Sequence, residues 1–356
     1  MPARPANLHQ WGAVTLFHGL PSDRVRAIAQ DADGAMWFGT DAGLVRYDGR
    51  RTQTVSEAGL AAGRVHALHF DAGGALWVGT DAGAVVRTAG GEFKRVEETE
   101  GKSVTAVADA PFEAPERGRV LMTSNAGAVF DCRVRADGSL DVRAIEDRLL
   151  RGTAAAGGDD RSALELTGVV AIDRDIFLVA TRGRGLLAVE GGAVREVAGR
   201  TRTFFVEALE RDAQGGVWYG AQTTADDSGV YEVSGRRDGS TKVLAGATGT
   251  VTALRFDRGG DMFVATDGRG VFRHRGRRRL EHFTFAGTAG GLRSDRVYSI
   301  FIDREGVAWF GTDRGVCRYD PHGLRNESLS ADAESNFVRA LFQTADGRLL
   351  AGTNRG

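Results

Sequence analysis

A single pattern recurs from one end of this 356-residue chain to the other, and no other feature limits the possible folds as much. It is most legible in AIAQDADGAMWFGTDAGLVRYDG, Ala27 to Gly49, and again in SIFIDREGVAWFGTDRGVCRYD, Ser299 to Asp320. With Trp37 as the mark, equivalent positions fall at Trp77, Leu121, Leu178, Trp218, Phe263, Trp309 and Leu350. A period of about 45 residues carrying short alternating runs is the spacing of a β-propeller, with four antiparallel strands per blade.

Each repeat opens with Val: Val25, Val65, Val104, Val169, Val206, Val251, Val297 and Val338. Two residues on comes a small side chain (Ala27, Ala67, Ala106, Ala171, Ala208, Ala253, Ser299, Ala340), and an aliphatic follows it (Ile28, Leu68, Val107, Ile172, Leu209, Leu254, Ile300, Leu341). Alternation along a strand puts the Val and the small residue on one face and the aliphatic on the other. A strand apolar on both faces is buried on both, so this run is the innermost strand, where blades crowd toward an axis. A D-x-x-G turn follows, as at Asp31 to Gly34, Asp71 to Gly74, Asp212 to Gly215 and Asp303 to Gly306. There Asp binds nearby backbone and Gly accepts positive φ. The second strand carries Trp and ends in Gly-Thr, the third resembles LVRYD (Leu44 to Asp48), and the polar run Arg51 to Val55 suits an outer edge. Repeats three and four lack the Trp and the clean turn, and read as degenerate blades.

The expected fold is all-β: a seven-bladed propeller over residues 11–320. Val14 to Phe17 is expected to supply the fourth strand of the last blade beside Val316 to Tyr319, which removes exposed edges. Residues 321–356 read as a linker and an incomplete repeat that begins a second propeller; a single eight-bladed ring is the alternative.

Charge narrows the partners. Lys plus Arg number 46 against 47 Asp plus Glu, for a net charge of -1, so the positive field that nucleic-acid binding requires is missing. No apolar run approaches the ~18 residues of a membrane span, and Met1 to Ala13 contains no apolar stretch of signal-peptide type. Two cysteines, Cys132 and Cys317, sit in well-separated repeats, too few and too distant for a disulfide framework.

The approach Gly19 to Val25 (GLPSDRV), followed by Asp31 to Asp48, resembles the two-component regulator propeller repeats of bacterial sensor proteins, and Gly291 to Asp320 is similar. That resemblance implies an extracytoplasmic, periplasmic ligand-sensing module that signals to an output domain in the same full-length chain. The absence of a leader in Met1 to Ala13 keeps the cytoplasm open as well.

No catalytic signature is present, and neither a cofactor nor a metal is expected. The glycine-rich stretch Thr181 to Leu187 follows a strand and opens no helix, so it is not a phosphate loop. Asp226 and Asp227 are too few oxygens for Ca²⁺ and read as a solvated loop. The basic run Arg273 to Arg279 reads as solvated, with partner binding as the alternative. The recurrent Trp at one framework position reads as inter-blade core and not as a sugar platform.

Between the fixed Val and the fixed small residue lies one variable position: Arg26, His66, Thr105, Val170, Glu207, Thr252, Tyr298 and Arg339. Such residues would ring one mouth of the central channel. The expected ligand-binding set is Arg26, His66, Glu207 and Tyr298, with Arg24, Arg184, Arg269 and Arg296 around the rim. Further turn residues on that face are Asp23, Arg182, Asp267, Asp295 and Arg314. The surplus of Arg suits an anionic or hydroxyl-rich small molecule or oligosaccharide. The expected function is non-catalytic ligand sensing; the alternatives are a streptogramin-lyase-like enzyme, in which His66 and Glu207 would act, or an interaction scaffold.

Overall fold

The structure is a computed structural model, and it describes residues 10–56, 60, 63–110, 118–145, 165–191, 193–198, 204–222, 228–233, 240–245, 249–323 and 337–354. Its strands form four-stranded antiparallel sheets in a propeller-like arrangement, each built mainly from one repeat. From the axis outward, blade 1 comprises Val25–Gln30, Met36–Thr40, Gly43–Tyr47 and Thr52–Val55. Blade 2 is Val65–Phe70, Leu76–Thr80, Gly83–Arg87 and Phe93–Val96, and blade 3 is Val104–Asp109, Arg119–Ser124, Val129–Val134 and Leu140–Ala144. Blade 4 is Leu166–Asp173, Ile176–Gly183, Gly185–Glu190 and Ala193–Ala198, and blade 5 is Phe204–Arg211, Val217–Gln222, Gly229–Val233 and Ser240–Ala245. These two join through a short ladder, Arg182 opposite Phe205 and Gly183 opposite Phe204. Blade 6 is Val251–Phe256, Met262–Thr266, Val271–Arg275 and Arg278–Phe283. Blade 7 contributes Val297–Ile302, Ala308–Thr312 and Gly315–Tyr319, with Trp11–Val14 as its outer strand. Neighbouring innermost strands pack side by side in chain order, and that of blade 7 also packs beside that of blade 1. Among the described residues no helix is long and apolar enough to cross a membrane.

The repeat motif is one hydrogen-bonded unit. In blade 2, Asp71 Oδ1 accepts the backbone N–H groups of Gly73 (2.8 Å) and Ala75 (2.9 Å), and its Oδ2 accepts Trp77 Nε1 at 2.8 Å. Asp31 with Trp37, Asp212 with Trp218 and Asp303 with Trp309 repeat the indole contact. Trp77 is wholly buried, as the core reading requires, and its N–H has the partner that a buried indole needs. The apolar cores lie between blades: Trp77, Val86 and Ala84 of blade 2 meet Met122, Phe130 and Cys132 of blade 3. The glycine of W-x-G-T is where the next blade arrives. A Cβ on Gly39 would come within 2.5 Å of Val65 Cγ1, and one on Gly311 within 2.5 Å of Val25 O, so the contact from blade 7 to blade 1 repeats the others.

Three expectations need correction. The strand beside Gly315–Tyr319 is Trp11–Val14, not Val14 to Phe17: Leu16–His18 forms a single 3-10 turn closed by Gly19 at φ 92°, and Phe17 is exposed. Trp11 anchors that strand, its ring 4.9 Å from Tyr319 and 5.4 Å from Phe283. In blade 4 the innermost strand is offset by three residues, with Leu166 and Gly168 where Val169 and Ala171 were expected. The basic run is only partly solvated: Arg273 and Arg275 both pair with the fully buried Asp261, at 2.8 and 2.5 Å, while Arg277, Arg278 and Arg279 are exposed. Among the described residues, Val338–Gln343 and Leu349–Thr353 pair only with each other, as a hairpin that exposes Leu341, Phe342 and Leu349. Asp226 and Asp227 lie outside the described residues.

Candidate functional site

The variable position has a backbone cause. In each blade the ladder between first and second strands slips by one residue at that point, between Val25 and Ala27, Val65 and Ala67, Val104 and Ala106, Leu166 and Gly168, Val206 and Ala208, Val251 and Ala253, and Val297 and Ser299. The residue between is a β-bulge, unpaired in the ladder and therefore free of the framework's demands on its side chain. The bulge residues are Arg26, His66, Thr105, Thr167, Glu207, Thr252 and Tyr298, and all seven line one axial cavity of about 360 Å³. Thr167 takes the place that the sequence assigned to Val170, because the three-residue offset in blade 4 moves the bulge.

The bulge residues divide by chemistry. Three are threonines whose hydroxyls donate to a carbonyl of the following blade: Thr105 to Leu166 (2.7 Å), Thr167 to Val206 (2.5 Å) and Thr252 to Val297 (2.5 Å). These stitch neighbouring blades together. The other four are the expected set. Arg26 pairs with Asp41 and lies over the Tyr298 ring, its guanidinium carbon 4.9 Å from the centroid. His66 Nε2 is 2.5 Å from Asp81 Oδ1. Glu207 receives Arg182 Nε at 2.6 Å, and Arg182 also reaches Glu165 at 2.5 Å.

Asp41 and Asp81 went unnoticed in the sequence. Each follows the Gly-Thr of a second strand and stands 15 residues after its bulge partner, an offset that the repeat alone could have revealed. Burial acts to raise the Asp41 pKa, but the bond from Arg26 and the charges of Arg26, Arg64 and Arg24 outweigh it and leave the carboxyl below its ordinary value. Asp41 is thus a fixed anion that orients Arg26.

The four rim arginines do not converge as a set. Arg24 reaches Asp41 at 3.7 Å and Arg296 pairs with Asp267 at 2.6 Å. Arg184 turns away to Glu196 on the outer strand of blade 4, at 2.8 Å. Arg269 is held through its backbone, donating to Thr266 Oγ1 and accepting from His282. None of the four lines the cavity. Below the bulges the lining narrows to Ala27, Ala67, Ala106, Gly168, Ala208, Ala253 and Ser299. At its far end His69 Nε2 stands 2.8 Å from Asp109 Oδ1, outside hydrogen-bond geometry, and Arg255 pairs with Glu210.

Residues 19–42 and 291–314 match the family model of the two component regulator propeller. The chain carries two-component regulator propeller repeats. The fold of this chain is similar to the extracellular domain of a hybrid two component system from B. thetaiotaomicron, with TM-score 0.70 and 16% identity over 96% of this chain and 46% of that one. It is also similar to the extracellular domain of a one component system from the same organism, with TM-score 0.67 and 19% identity over 97% of this chain and 45% of that one. This chain spans less than half the length of either domain. Virginiamycin B lyase from Staphylococcus aureus shares the fold at TM-score 0.62 and 12% identity, covering 86% of this chain and 98% of that one. No curated protein sequence matches this chain.

Proposed function

We propose that residues 11–320 form a closed seven-bladed propeller that binds a small polar ligand, a saccharide by analogy with the expected sensor role, at the bulge end of its axial cavity. On this reading residues 321–356 begin a second propeller, the domain lies outside the cytoplasm, and occupancy is passed to an output domain of the full-length protein. The observation that carries the reading is the division among the bulge residues. Thr105, Thr167 and Thr252 are used up in stitching blades, whereas Arg26, His66, Glu207 and Tyr298 present differing polar groups into one cavity. Acidic partners hold Arg26 and His66, so less conformational freedom is lost when a ligand binds.

Binding without turnover is proposed, because His66 and Glu207 belong to separate ion pairs on blades 2 and 5 and form no dyad with each other. The test is calorimetric titration with a panel of neutral, anionic and amino sugars, repeated on Arg26→Ala and Glu207→Gln. Loss of one charge-assisted contact should weaken binding about thirtyfold, the equivalent of ~2 kcal/mol. Binding indifferent to both substitutions would remove the site, and consumption of a sugar would replace sensing with catalysis.

A further inference from the structure

Two junctions of the ring share an aromatic seal. The Trp of one blade meets a phenylalanine on the innermost strand of the next, Trp37 with Phe70 at 6.1 Å between ring centroids and Trp218 with Phe256 at 5.4 Å. Between blades 3 and 4 both rings are missing. Leu121 holds the Trp position, and Ala171, opposite Phe177 in the ladder as Phe70 is opposite Leu76, holds that of the phenylalanine. A cleft of about 360 Å³ opens there, with Leu121, Ala171, Phe177 and Val189 among its walls. Arg119 braces it: its Nε and Nη2 donate to Asp131 at 2.9 and 2.8 Å, and its Nη1 reaches the Arg174 carbonyl of blade 4 at 3.4 Å. Two exposed charged residues of the lining stay unused. Among the described residues the Arg143 guanidinium of blade 3 pairs with no acid, and the Asp175 carboxylate of blade 4 receives no donor.

The volume falls within the range of small-molecule sites, roughly 300–1,000 Å³. We propose that the cleft between blades 3 and 4 binds a free aromatic amino acid, independently of the channel mouth. The ligand's ring takes the space that Trp and Phe fill at the other junctions, packing on Leu121, Phe177 and Val189, and restores the dispersion contacts that this junction forgoes. Its carboxylate faces Arg143, whose planar guanidinium can pair both oxygens at once, and its ammonium faces Asp175. These two charges belong to different blades, so a ligand that carries both of the opposite ones bridges the junction. A bare ring satisfies the walls and leaves the charges unmet. A sugar meets the charges and leaves the apolar walls wet.

The experiment titrates the full chain calorimetrically with L-tryptophan, L-phenylalanine, tryptamine and indole, and follows thermal melts with and without each. Wild type should bind L-tryptophan or L-phenylalanine and melt higher in its presence by mass action, with indole at least tenfold weaker than L-tryptophan. Arg143→Ala should weaken L-tryptophan about tenfold and leave tryptamine, which lacks the carboxylate, unchanged; Asp175→Asn should weaken both. Ala171→Phe rebuilds half of the missing ring pair, so it should melt no lower than wild type and lose the amino acid. Arg26→Ala, at the mouth, should bind it as wild type does. Failure of both amino acids to bind wild type overturns the proposal, as does indole binding as tightly as L-tryptophan or affinity indifferent to Arg143→Ala and Asp175→Asn. A lower melting temperature for Ala171→Phe would show the space already filled and overturn it too. Loss of L-tryptophan in Arg26→Ala would move the ligand to the mouth, which overturns this site and leaves the other standing.

Discussion

Trp77 Nε1 donates to Asp71 Oδ2 at 2.8 Å, and the same carboxylate's other oxygen closes the turn that precedes the strand. One buried side chain thus ties turn geometry to inter-blade packing, which is why D-x-x-G and Trp recur at a fixed offset. Asp71→Ala strands three donors, two of them backbone, and should cost about 2–4 kcal/mol, since each buried unpaired polar group costs roughly 1–3 kcal/mol before relaxation. Trp77→Ala should cost roughly 3–5 kcal/mol through the emptied site. Trp77→Phe should cost less than Trp77→Ala, because a phenyl ring refills most of the site, although it too leaves Asp71 Oδ2 without its donor. Denaturant titration of the three variants gives the order, and a Trp77→Ala cost under about 1 kcal/mol contradicts the core role.

Removing one inter-blade stitch tests the threonines. Thr167→Val keeps the shape and deletes the hydroxyl that donates to Val206 O. The expected loss is ~1–2 kcal/mol of stability with no change in sugar affinity, since one hydrogen bond goes and a buried carbonyl is left short of a donor. Reduced affinity at unchanged stability would move Thr167 from the framework into the site.

The outer strand of blade 7 comes from the far end of the chain, and Trp11 carries it. Trp11→Ala should lower the melting temperature by a few degrees, at roughly 2–4 °C per kcal/mol for a domain of this size. Because Trp11–Val14 pairs with Gly315–Tyr319 and Asp320 N–H donates to Gln10 O, the same variant should speed amide exchange of Val316, Arg318 and Asp320 more than that of the blade 3 strand Val129–Val134. Uniform exchange across the sheets would deny the strand its role in holding first and last repeats together.

Most of the fold was legible because Asp31, Trp37, Gly39 and their equivalents each answer to a local requirement that recurs with the repeat. Blade 4 was misread because ELTGVVAID offers two registers: Val169 and Ala171 fit the Val-x-small pattern as well as Leu166 and Gly168 do. Only packing against Val206 and Ala180 separates them, and that information is tertiary. Four expected mouth residues line the cavity because bulge position is a backbone property read directly from the repeat. Arg184 and Arg269 could not be placed so, since a turn residue's direction depends on which acid it finds, and Glu196 lies on a strand with no motif of its own.

Both thiols should be inert in the folded protein. Burial raises the Cys317 pKa to about 12 against the lowering pull of the Arg293 backbone, and burial with the nearby charge of Asp131 pushes Cys132 up as well. Thiolate is the reactive form. Iodoacetamide at pH 8 should label neither until denaturant is added; fast labelling of either in the native state would mean that its blade opens locally.

The last prediction concerns acid stability. His274 sits on the third strand of blade 6, buried, with neither ring nitrogen hydrogen-bonded. Burial, and then the charge of Arg279 opposite it in the ladder, hold its pKa below the ordinary 6.5. The unfolded chain therefore takes up a proton on this ring at a pH where the native state refuses it. Its contribution is fully present above about pH 6.5 and is lost as pH falls from there toward the depressed native value. Tyr47 and Tyr319 occupy the same register position in blades 1 and 7, so an aromatic ring fits there. His274→Phe keeps the ring and removes the titration. It should melt within a few degrees of wild type at pH 7.5, yet lose less of its melting temperature between pH 7.5 and pH 5. An equal acid loss in both proteins would show that other groups carry the dependence and that His274 takes up its proton as readily in the native state as in the unfolded chain.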